Sequence, residues 1–141
     1  MLFRSNDAAQ AIDRILDSYP SDRREQIQTQ LSSALQAVVS QRLVPRVGGG
    51  RVAAFEVMLG SDAVRNLIRE AKSGQLRNIM SMGSRDGMQT LEASLSSLVQ
   101  AGIITYEDAV RKSVYPKEVK QPSAQPAGPQ TAVPVQVGAG G

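Results

Sequence analysis

Residues 41–58 read Gln-Arg-Leu-Val-Pro-Arg-Val-Gly-Gly-Gly-Arg-Val-Ala-Ala-Phe-Glu-Val-Met, and they contain the clearest β-structure signal in the sequence. The short apolar run before Pro45 suits the end of a strand, because proline cannot donate a hydrogen bond to the next strand. A second run, from Arg51 to Met58, follows three consecutive glycines. Two apolar runs joined by a glycine-rich turn predict a β-hairpin. We expect its second strand to be buried on much of both faces.

Helical periodicity precedes the hairpin. Apolar residues at i, i+3, i+4 and i+7 predict a helix over residues 7–19, with Asn6 as its N-cap and Pro20 as its stop. A second helix is capped by Ser21 or Asp22. Its inward stripe is predicted to be Ile27, Leu31, Ala34, Leu35 and Val38. Its opposite, polar face carries Arg24, Gln28 and Ser32, as a helix on the surface requires.

Four helices are predicted after the hairpin. One begins at Ser61 or Asp62, and a short one covers residues 75–82. A third carries Leu91, Leu95, Leu98 and Val99 inward and ends at Gly102. The fourth is opened by the capping sequence Thr105-Tyr106-Glu107-Asp108 and runs to about Ser113. The predicted fold class is therefore α+β, mostly helical with one β-hairpin.

Composition excludes several classes of chemistry. The 141 residues contain no Cys and no His, which excludes disulfides, thiolate or imidazole metal sites and a serine triad. We expect no catalytic residues and no metal site in this chain. The start of the sequence does not read as a signal peptide, and no window approaches the roughly 18 apolar residues of a membrane span. We expect a cytoplasmic protein without direct membrane insertion.

Residues 121–141 contain four Pro, four Gly and no charged residue. Such a segment offers few side chains to bury, so it cannot offset the entropy lost on ordering. We predict a disordered tail there.

Two polar features carry alternative readings. The triple glycine could cradle a phosphate, but a P-loop needs G-x-x-x-x-G-K-[ST] between a strand and a helix, and here a strand follows. Arg42, Arg46 and Arg51 could meet phosphates, or they are solvated charges at strand ends. Nucleic-acid binding is disfavoured because the net charge is only +3 and aromatic residues are few.

The segment from Ser61 to Glu70 is the other feature. Its apolar positions Val64, Leu67 and Ile68 should face inward, and its polar positions outward. Arg65 and Arg69 form a like-charge i, i+4 pair, which slightly disfavours an isolated helix. The outward face is either a partner site or an ordinary solvated surface.

These stretches resemble, in order along the chain, the C-terminal part of PilT-type twitching-motility ATPases, the type IV pilus retraction motors of the secretion-ATPase superfamily. Residues 31–46 and 50–58 carry the first part of the resemblance. Residues 63–70, Ala-Val-Arg-Asn-Leu-Ile-Arg-Glu, resemble the AIRNLIRE motif of that family, with Val64 in place of Ile. Residues 6–15 resemble the stretch after the family's His box, where Arg4-Ser5 stand in place of His-Thr. Gly87-Met88-Gln89-Thr90, Ser94-Leu95, Gly102-Ile103-Ile104 and Tyr106-Glu107 also fit in order.

The resemblance implies a homo-hexameric ring that uses ATP and Mg and pulls pilin through an inner-membrane platform protein. Residues 1–60 would end a RecA-like α/β P-loop ATPase core, 61–114 would form a C-terminal helical subdomain, and 115–141 the tail. Arg42 and Arg46 would lie at the core's edge near nucleotide. The retraction motif would comprise Ala63, Val64, Arg65, Asn66, Leu67, Ile68, Arg69 and Glu70.

The departures from the family pattern are equally specific. The sequence has no Walker A loop, Asp box, Walker B acid or His-box His, so we expect an N-terminally truncated fragment that holds no cofactor of its own and, alone, neither binds nor hydrolyses ATP. It should also expose a strand edge and therefore associate. One alternative is a fragment of a pilus assembly or type II secretion ATPase, which commonly carries a tetracysteine zinc site. Another is a stand-alone, non-catalytic interaction module.

Overall fold

A computed structural model describes residues 7–123. Helices α1 and α2 precede a two-stranded antiparallel hairpin, and helices α3 to α6 follow it. This arrangement confirms the α+β class and the hairpin. The bounds are α1 Ala8–Asp17, α2 Ser21–Ala34, β1 Ala37–Pro45, β2 Arg51–Leu59, α3 Asp62–Arg69, α4 Leu76–Met82, α5 Leu91–Gln100 and α6 Tyr106–Lys112, with 3₁₀ turns at Ser73–Gln75, Gly83–Asp86 and Pro116–Glu118.

The hairpin pairs Ala37 with Leu59 at one end and Pro45 with Arg51 at the other. Its turn needs glycine, because residues 48, 49 and 50 have φ angles of 86°, 113° and 75°, which other residues rarely adopt. The turn closes through a hydrogen bond of 3.0 Å from the Arg46 N–H to the Gly50 carbonyl. The glycines therefore serve a strand-to-strand turn.

Burial along β2 alternates, so the expectation of burial on both faces is wrong for the described chain. Ala54, Glu56 and Met58 are buried, whereas Phe55 between them is 41% exposed. The helices cover only the side of the hairpin that carries Ala54, Glu56 and Met58. Among residues 7–123 the other side is uncovered around Phe55, although Leu59 at its end packs against the core.

The first two helices differ from prediction at their ends. Asp7, not Asn6, caps α1, since its carboxylate accepts a hydrogen bond of 2.8 Å from the Gln10 N–H; Asn6 lies outside the described residues. Helix α2 ends at Ala34, and Leu35 already has an extended backbone. Val38 therefore lies on β1, although it still packs against the core next to Leu35.

The predicted N-caps after the hairpin are confirmed. The Ser61 hydroxyl accepts from the Val64 N–H at 3.3 Å, and the Thr105 hydroxyl accepts from the Asp108 N–H at 3.1 Å. Helix α5 ends at Gln100 with Ala101 as its C-cap, so Gly102, with φ 70°, follows the helix end as predicted. These signals are local, so the sequence reveals them directly.

Two apolar clusters form the core, and the hairpin contributes to both. The first contains Ala8, Ile12, Leu16, Met58, Val64, Ile68, Leu76, Met80 and Met88. The second contains Val44, Ala54, Leu91, Leu95, Val99, Ile104, Ala109 and Val119. The first cluster joins side chains from both sides of residue 60, where the sequence predicts a domain boundary. That division into a core end and a helical subdomain stays a prediction.

Residues 113–123, which we call the C-terminal strap, lie along α5. They include the 3₁₀ turn at Pro116–Glu118 and the buried Val119. The predicted tail over 115–141 thus has a folded beginning, and residues 124–141 lie outside the described part. Among residues 7–123, no helix is long and apolar enough to cross a bilayer.

Candidate functional site on helix α3

Helix α3 has one face fixed in the core. Val64 is fully buried and Ile68 is 1% exposed, and both belong to the first apolar cluster. Leu67 is half-buried and packs against that cluster. The inward orientation predicted for these three residues is confirmed.

The opposite face of α3 is exposed at Ala63, Asn66, Arg69 and Glu70. The Arg69 guanidinium donates a hydrogen bond of 2.8 Å to the Asn66 side-chain oxygen. Glu70 pairs with Lys72 at 2.7 Å, and this ammonium group lowers the pKa of the Glu70 carboxyl. We call these four residues the outer face of α3. It offers a guanidinium, an amide and a carboxylate on a backbone that the core holds rigid.

Arg65 does not join this outer face, contrary to the prediction. Its Nε donates to the Gly60 carbonyl at 2.8 Å, and its Nη1 donates to the carbonyls of Ser32, at 3.3 Å, and Ser33. The last carbonyls of a helix have no partner within the helix, and those near the end of α2 are satisfied here. Arg65 therefore joins the end of α2 to the start of α3.

Helix α2 also supplies hydrogen bonds to carbonyl groups at the C-terminal end of α3. The Gln28 side-chain amide donates to the carbonyls of Ile68 and Arg69 at 2.6 and 3.0 Å. Ser32, predicted to be solvated, is completely buried. At Gln28 and Ser32 the polar face of α2 is thus the contact with α3 rather than a solvent surface, whereas Arg24 is exposed as predicted and pairs with Asp17 of α1. A polar stripe on a helix indicates exposure only when no helix end needs its hydrogen bonds.

The predicted arginine cluster at the hairpin is divided. Arg42 turns away from the loop and donates a hydrogen bond of 2.9 Å to the carbonyl of Lys112, the last residue of α6. Arg46 and Arg51 are exposed at the turn. Since a cation at a helix C-terminus is favourable, the position of Arg42 has a structural cause.

Sequence reasoning missed a partly buried ion network centred on Arg77 of α4. Its guanidinium bonds to Glu92 of α5 at 2.8 Å and Glu118 of the strap at 2.6 Å, and it stacks on the Tyr115 ring at 3.8 Å. Glu92 is only 1% exposed. The available signal was an acidic residue directly after Leu91, at the edge of the apolar stripe of the predicted helix.

Burial alone would raise the pKa of Glu92, but hydrogen bonds outweigh it and lower that pKa. The carboxylate accepts from the N–H groups of Tyr115 and Val114 at 3.0 and 2.9 Å, in addition to the Arg77 guanidinium. Hydrogen bonds to the ionised form favour ionisation. Glu92 is therefore a structural anion that holds three segments together.

Glu56 on β2 is the second buried acid, and its environment is the reverse. One carboxylate oxygen accepts a hydrogen bond from the Ala8 N–H at the start of α1, and within residues 7–123 the other has no hydrogen-bond partner. Burial, assisted by the charge of nearby Asp7, raises the pKa of Glu56. The sequence offered no acid–base partner for Glu56, and the charges that act on it in the structure, those of Asp7 and Glu92, are both acidic.

Known proteins share much of this sequence. No family model matches the chain. The type IV pilus retraction ATPase PilT of Pseudomonas aeruginosa is 44% identical over 110 residues, 78% of this chain and 32% of that relative. A twitching motility protein of Neisseria gonorrhoeae is 44% identical over 107 residues, 75% of this chain and 29% of the relative. The chain thus spans about a third of the length of these relatives.

Solved structures agree. The pilus retraction motor PilT with bound ADP superposes with a TM-score of 0.71 at 44% identity, over 81% of this chain and 32% of that one. The ATPase DotB of Legionella pneumophila gives a TM-score of 0.61 at 20% identity over 74% of this chain and 28% of its own, which shows a shared fold. The resemblance read from the motifs is confirmed by both comparisons. The chain therefore belongs to the PilT-type family of twitching-motility ATPases, and it corresponds to the C-terminal part of their fold.

Proposed function

We propose that this chain acts as the C-terminal portion of a hexameric type IV pilus retraction motor and that residues 63–70 are its contact element. The observation that carries the proposal is the division of α3, with Val64 and Ile68 fixed in the core and the outer face open to solvent. The sequence identity to PilT indicates the kind of motor to which this element would belong. In this proposal, ATP hydrolysis and pilus retraction are activities of the assembled motor and not of this chain alone.

The outer face is suited to a protein partner, either a neighbouring subunit or the platform protein at the cytoplasmic side of the inner membrane. Arg69 is held by Asn66, so little side-chain freedom remains to be lost when a carboxylate binds it. Glu70 offers the opposite charge within one turn of the helix. Such mixed charges favour specificity more than affinity.

The inner face would transmit movement. Val64 and Ile68 share one close-packed cluster with Met58 of β2 and Leu76 of α4. Packed cores transmit strain rather than absorb it, because they contain few voids. A displacement of the hairpin by nucleotide-driven motion elsewhere in a motor would therefore reach α3.

That this chain alone holds neither ATP nor Mg stays a prediction. Within residues 7–123 there is no group of three or more acidic, His or Cys side chains that could hold a metal ion, and the sequence lacks the G-x-x-x-x-G-K-[ST] loop. We therefore assign no nucleotide step to it. A position of Arg42 and Arg46 near nucleotide in an assembled motor stays a prediction, and the bond from Arg42 to Lys112 already engages one of the two guanidinium groups.

A chimera tests the proposal. Residues 7–113 replace the matching region of Pseudomonas aeruginosa PilT in a strain that lacks it, and twitching is measured as surface spreading. We expect the chimera to restore twitching and Arg69→Ala to reduce it severely at unchanged protein level, because Arg69 contributes to the outer face and not to the core.

The matched control is Arg85→Ala, which removes an exposed arginine remote from α3 in sequence. It should twitch like the parent chimera. Normal twitching by the Arg69→Ala chimera would show that the outer face is an ordinary solvated surface. A well-folded parent chimera that fails to twitch would refute the motor assignment.

A further inference from the structure

Three side chains on one side of α5 hold the C-terminal strap by its main chain. They are Glu92, Ser96 and Gln100, each one helical turn apart. Glu92 accepts from the Val114 and Tyr115 amides, and Ser96 accepts from the Lys120 amide at 2.9 Å. Gln100 donates to the Gln121 carbonyl at 2.7 Å and accepts from the Ser123 amide at 3.1 Å. The strap therefore runs along α5 in a fixed register.

Arg77 is the link between this strap and the other half of the molecule. It lies on α4, next to Leu76, which is fully buried in the first apolar cluster together with Val64 and Ile68 of α3. Its guanidinium reaches Glu92 and Glu118, which lie on the side of the second cluster. The same guanidinium stacks on Tyr115 of the strap.

The contacts around Glu92 depend on one another. The buried carboxylate receives two amides from the strap on one oxygen and Arg77 on the other. If the strap leaves, Glu92 loses two hydrogen bonds and Arg77 loses its ring contact and Glu118. A buried charge that loses partners is costly, so the local structure must rearrange rather than wait unchanged.

We propose that Arg77 is a positioning residue that couples the C-terminal strap to the retraction-motif helix α3. With the strap seated on α5, Arg77 fixes α4, and Leu76 holds Val64 and Ile68. With the strap lifted, α4 loosens and the outer face of α3 is no longer held in one orientation. Whatever acts on the chain beyond residue 123 then changes how α3 meets its partner. The last step rests on the proposed function of α3, whereas the coupling itself does not.

Hydrogen exchange followed by mass spectrometry on the 141-residue chain tests the coupling. Val119→Ala loosens the strap at its buried anchor without touching Arg77. The control Val110→Ala removes the same atoms from a half-buried valine of α6, packed against the same cluster but outside the strap. We expect Val119→Ala to speed exchange in residues 64–80 by at least about threefold, and Val110→Ala to change that region less.

Arg77→Gln closes the cycle. In that background the link is already cut, so adding Val119→Ala should speed exchange in the strap but add nothing in residues 64–80. Should Arg77→Gln not fold, Glu118→Gln, a half-exposed partner of Arg77, serves as the alternative background with a smaller effect. The proposal is overturned if Val119→Ala and Val110→Ala have the same effect on exchange in residues 64–80. It is also overturned if the effects of Arg77→Gln and Val119→Ala on exchange in residues 64–80 simply add in the double variant. No pilus is needed, so this outcome is independent of the twitching experiment.

Discussion

Glu56 and Glu92 are both buried acids, yet their surroundings differ in the number of hydrogen-bond donors. Glu92 receives two strap amides and a guanidinium, whereas Glu56 receives the Ala8 amide and lies near the charge of Asp7. The pKa of Glu92 is accordingly lowered and that of Glu56 raised. The two side chains should therefore respond oppositely to neutralisation and to pH.

Glu92→Gln should lower the free energy of unfolding by about 3 kcal/mol at neutral pH, because it leaves Arg77 without its buried partner. The lowered pKa means that the stabilisation by Glu92 is present above its ordinary value of 4.5 and is lost as the pH falls through the folded-state pKa. Urea unfolding as a function of pH measures both effects. Equal stability of variant and wild type at neutral pH would contradict the structural role of this anion.

Glu56→Gln should leave the free energy of unfolding unchanged or raise it by about 1 kcal/mol at neutral pH, since it removes a poorly compensated buried charge. Because the pKa of Glu56 is raised, its ionised carboxylate destabilises the fold at pH values above the folded-state pKa. Protonation removes this destabilisation as the pH falls through that pKa towards the ordinary value of 4.5. The difference between variant and wild type should thus vanish in acid. A loss comparable with that of Glu92→Gln would show that the carboxylate has a cationic partner.

At the scale of elements, α3 combines a rigid inner face with an open outer face. Ile68→Ala should lower the free energy of unfolding by about 2–5 kcal/mol, whereas Leu67→Ala, at a half-buried site, should cost less. Asn66→Ala on the outer face should change stability by about 0.5 kcal/mol or less. Thermal unfolding of the three variants gives this order. If Leu67→Ala costs as much as Ile68→Ala, then the inner face is wider than the structure shows.

Sequence patterns predicted those elements whose signals are local. The hairpin turn follows from three glycines, and the starts of α3 and α6 follow from Ser61 and Thr105, whose hydroxyls bond within their own helices. The end of α2 was missed because Val38 continues the apolar stripe of the helix even though the chain has become a strand. Hydrophobic spacing alone does not register a change of backbone conformation.

The candidate site was predicted on its apolar side and only partly on its polar side. Arg65 and Gln28 read as surface residues, yet both donate to carbonyls of another helix. The strap escaped prediction for a related reason: Glu92, Ser96 and Gln100 bind main-chain groups, which every sequence possesses. Partners of this kind become visible only when the segments are placed in space.

At the level of the fold, no part of residues 7–123 covers the outer side of the hairpin around Phe55. Val39 and Leu43 on β1 are 61% and 41% exposed, and Phe55 on β2 lies on the same side, opposite Gln41. Exposed apolar patches of this kind mark surfaces that associate. We expect the purified chain to self-associate with increasing concentration.

Val39→Lys should shift the sedimentation of the chain towards the monomer, since it places a charge in the patch. Met82→Lys introduces the same charge at a more exposed apolar residue on α4, outside the hairpin, and should leave association unchanged. Analytical ultracentrifugation over a range of concentrations measures both variants. A wild-type chain that stays monomeric at every concentration would show that the exposed apolar side of the hairpin does not drive self-association.

The hairpin lies in both apolar clusters, with Met58 in one and Val44 and Ala54 in the other. Neither half therefore has a complete interior of its own. Genetic exchange between relatives with a crossover between residues 60 and 90 would pair a hairpin from one parent with helices from another and mismatch two interiors at once. Natural recombinants and laboratory shuffled libraries should accordingly retain junctions outside residues 8–119, the span of the two clusters, and lose those within.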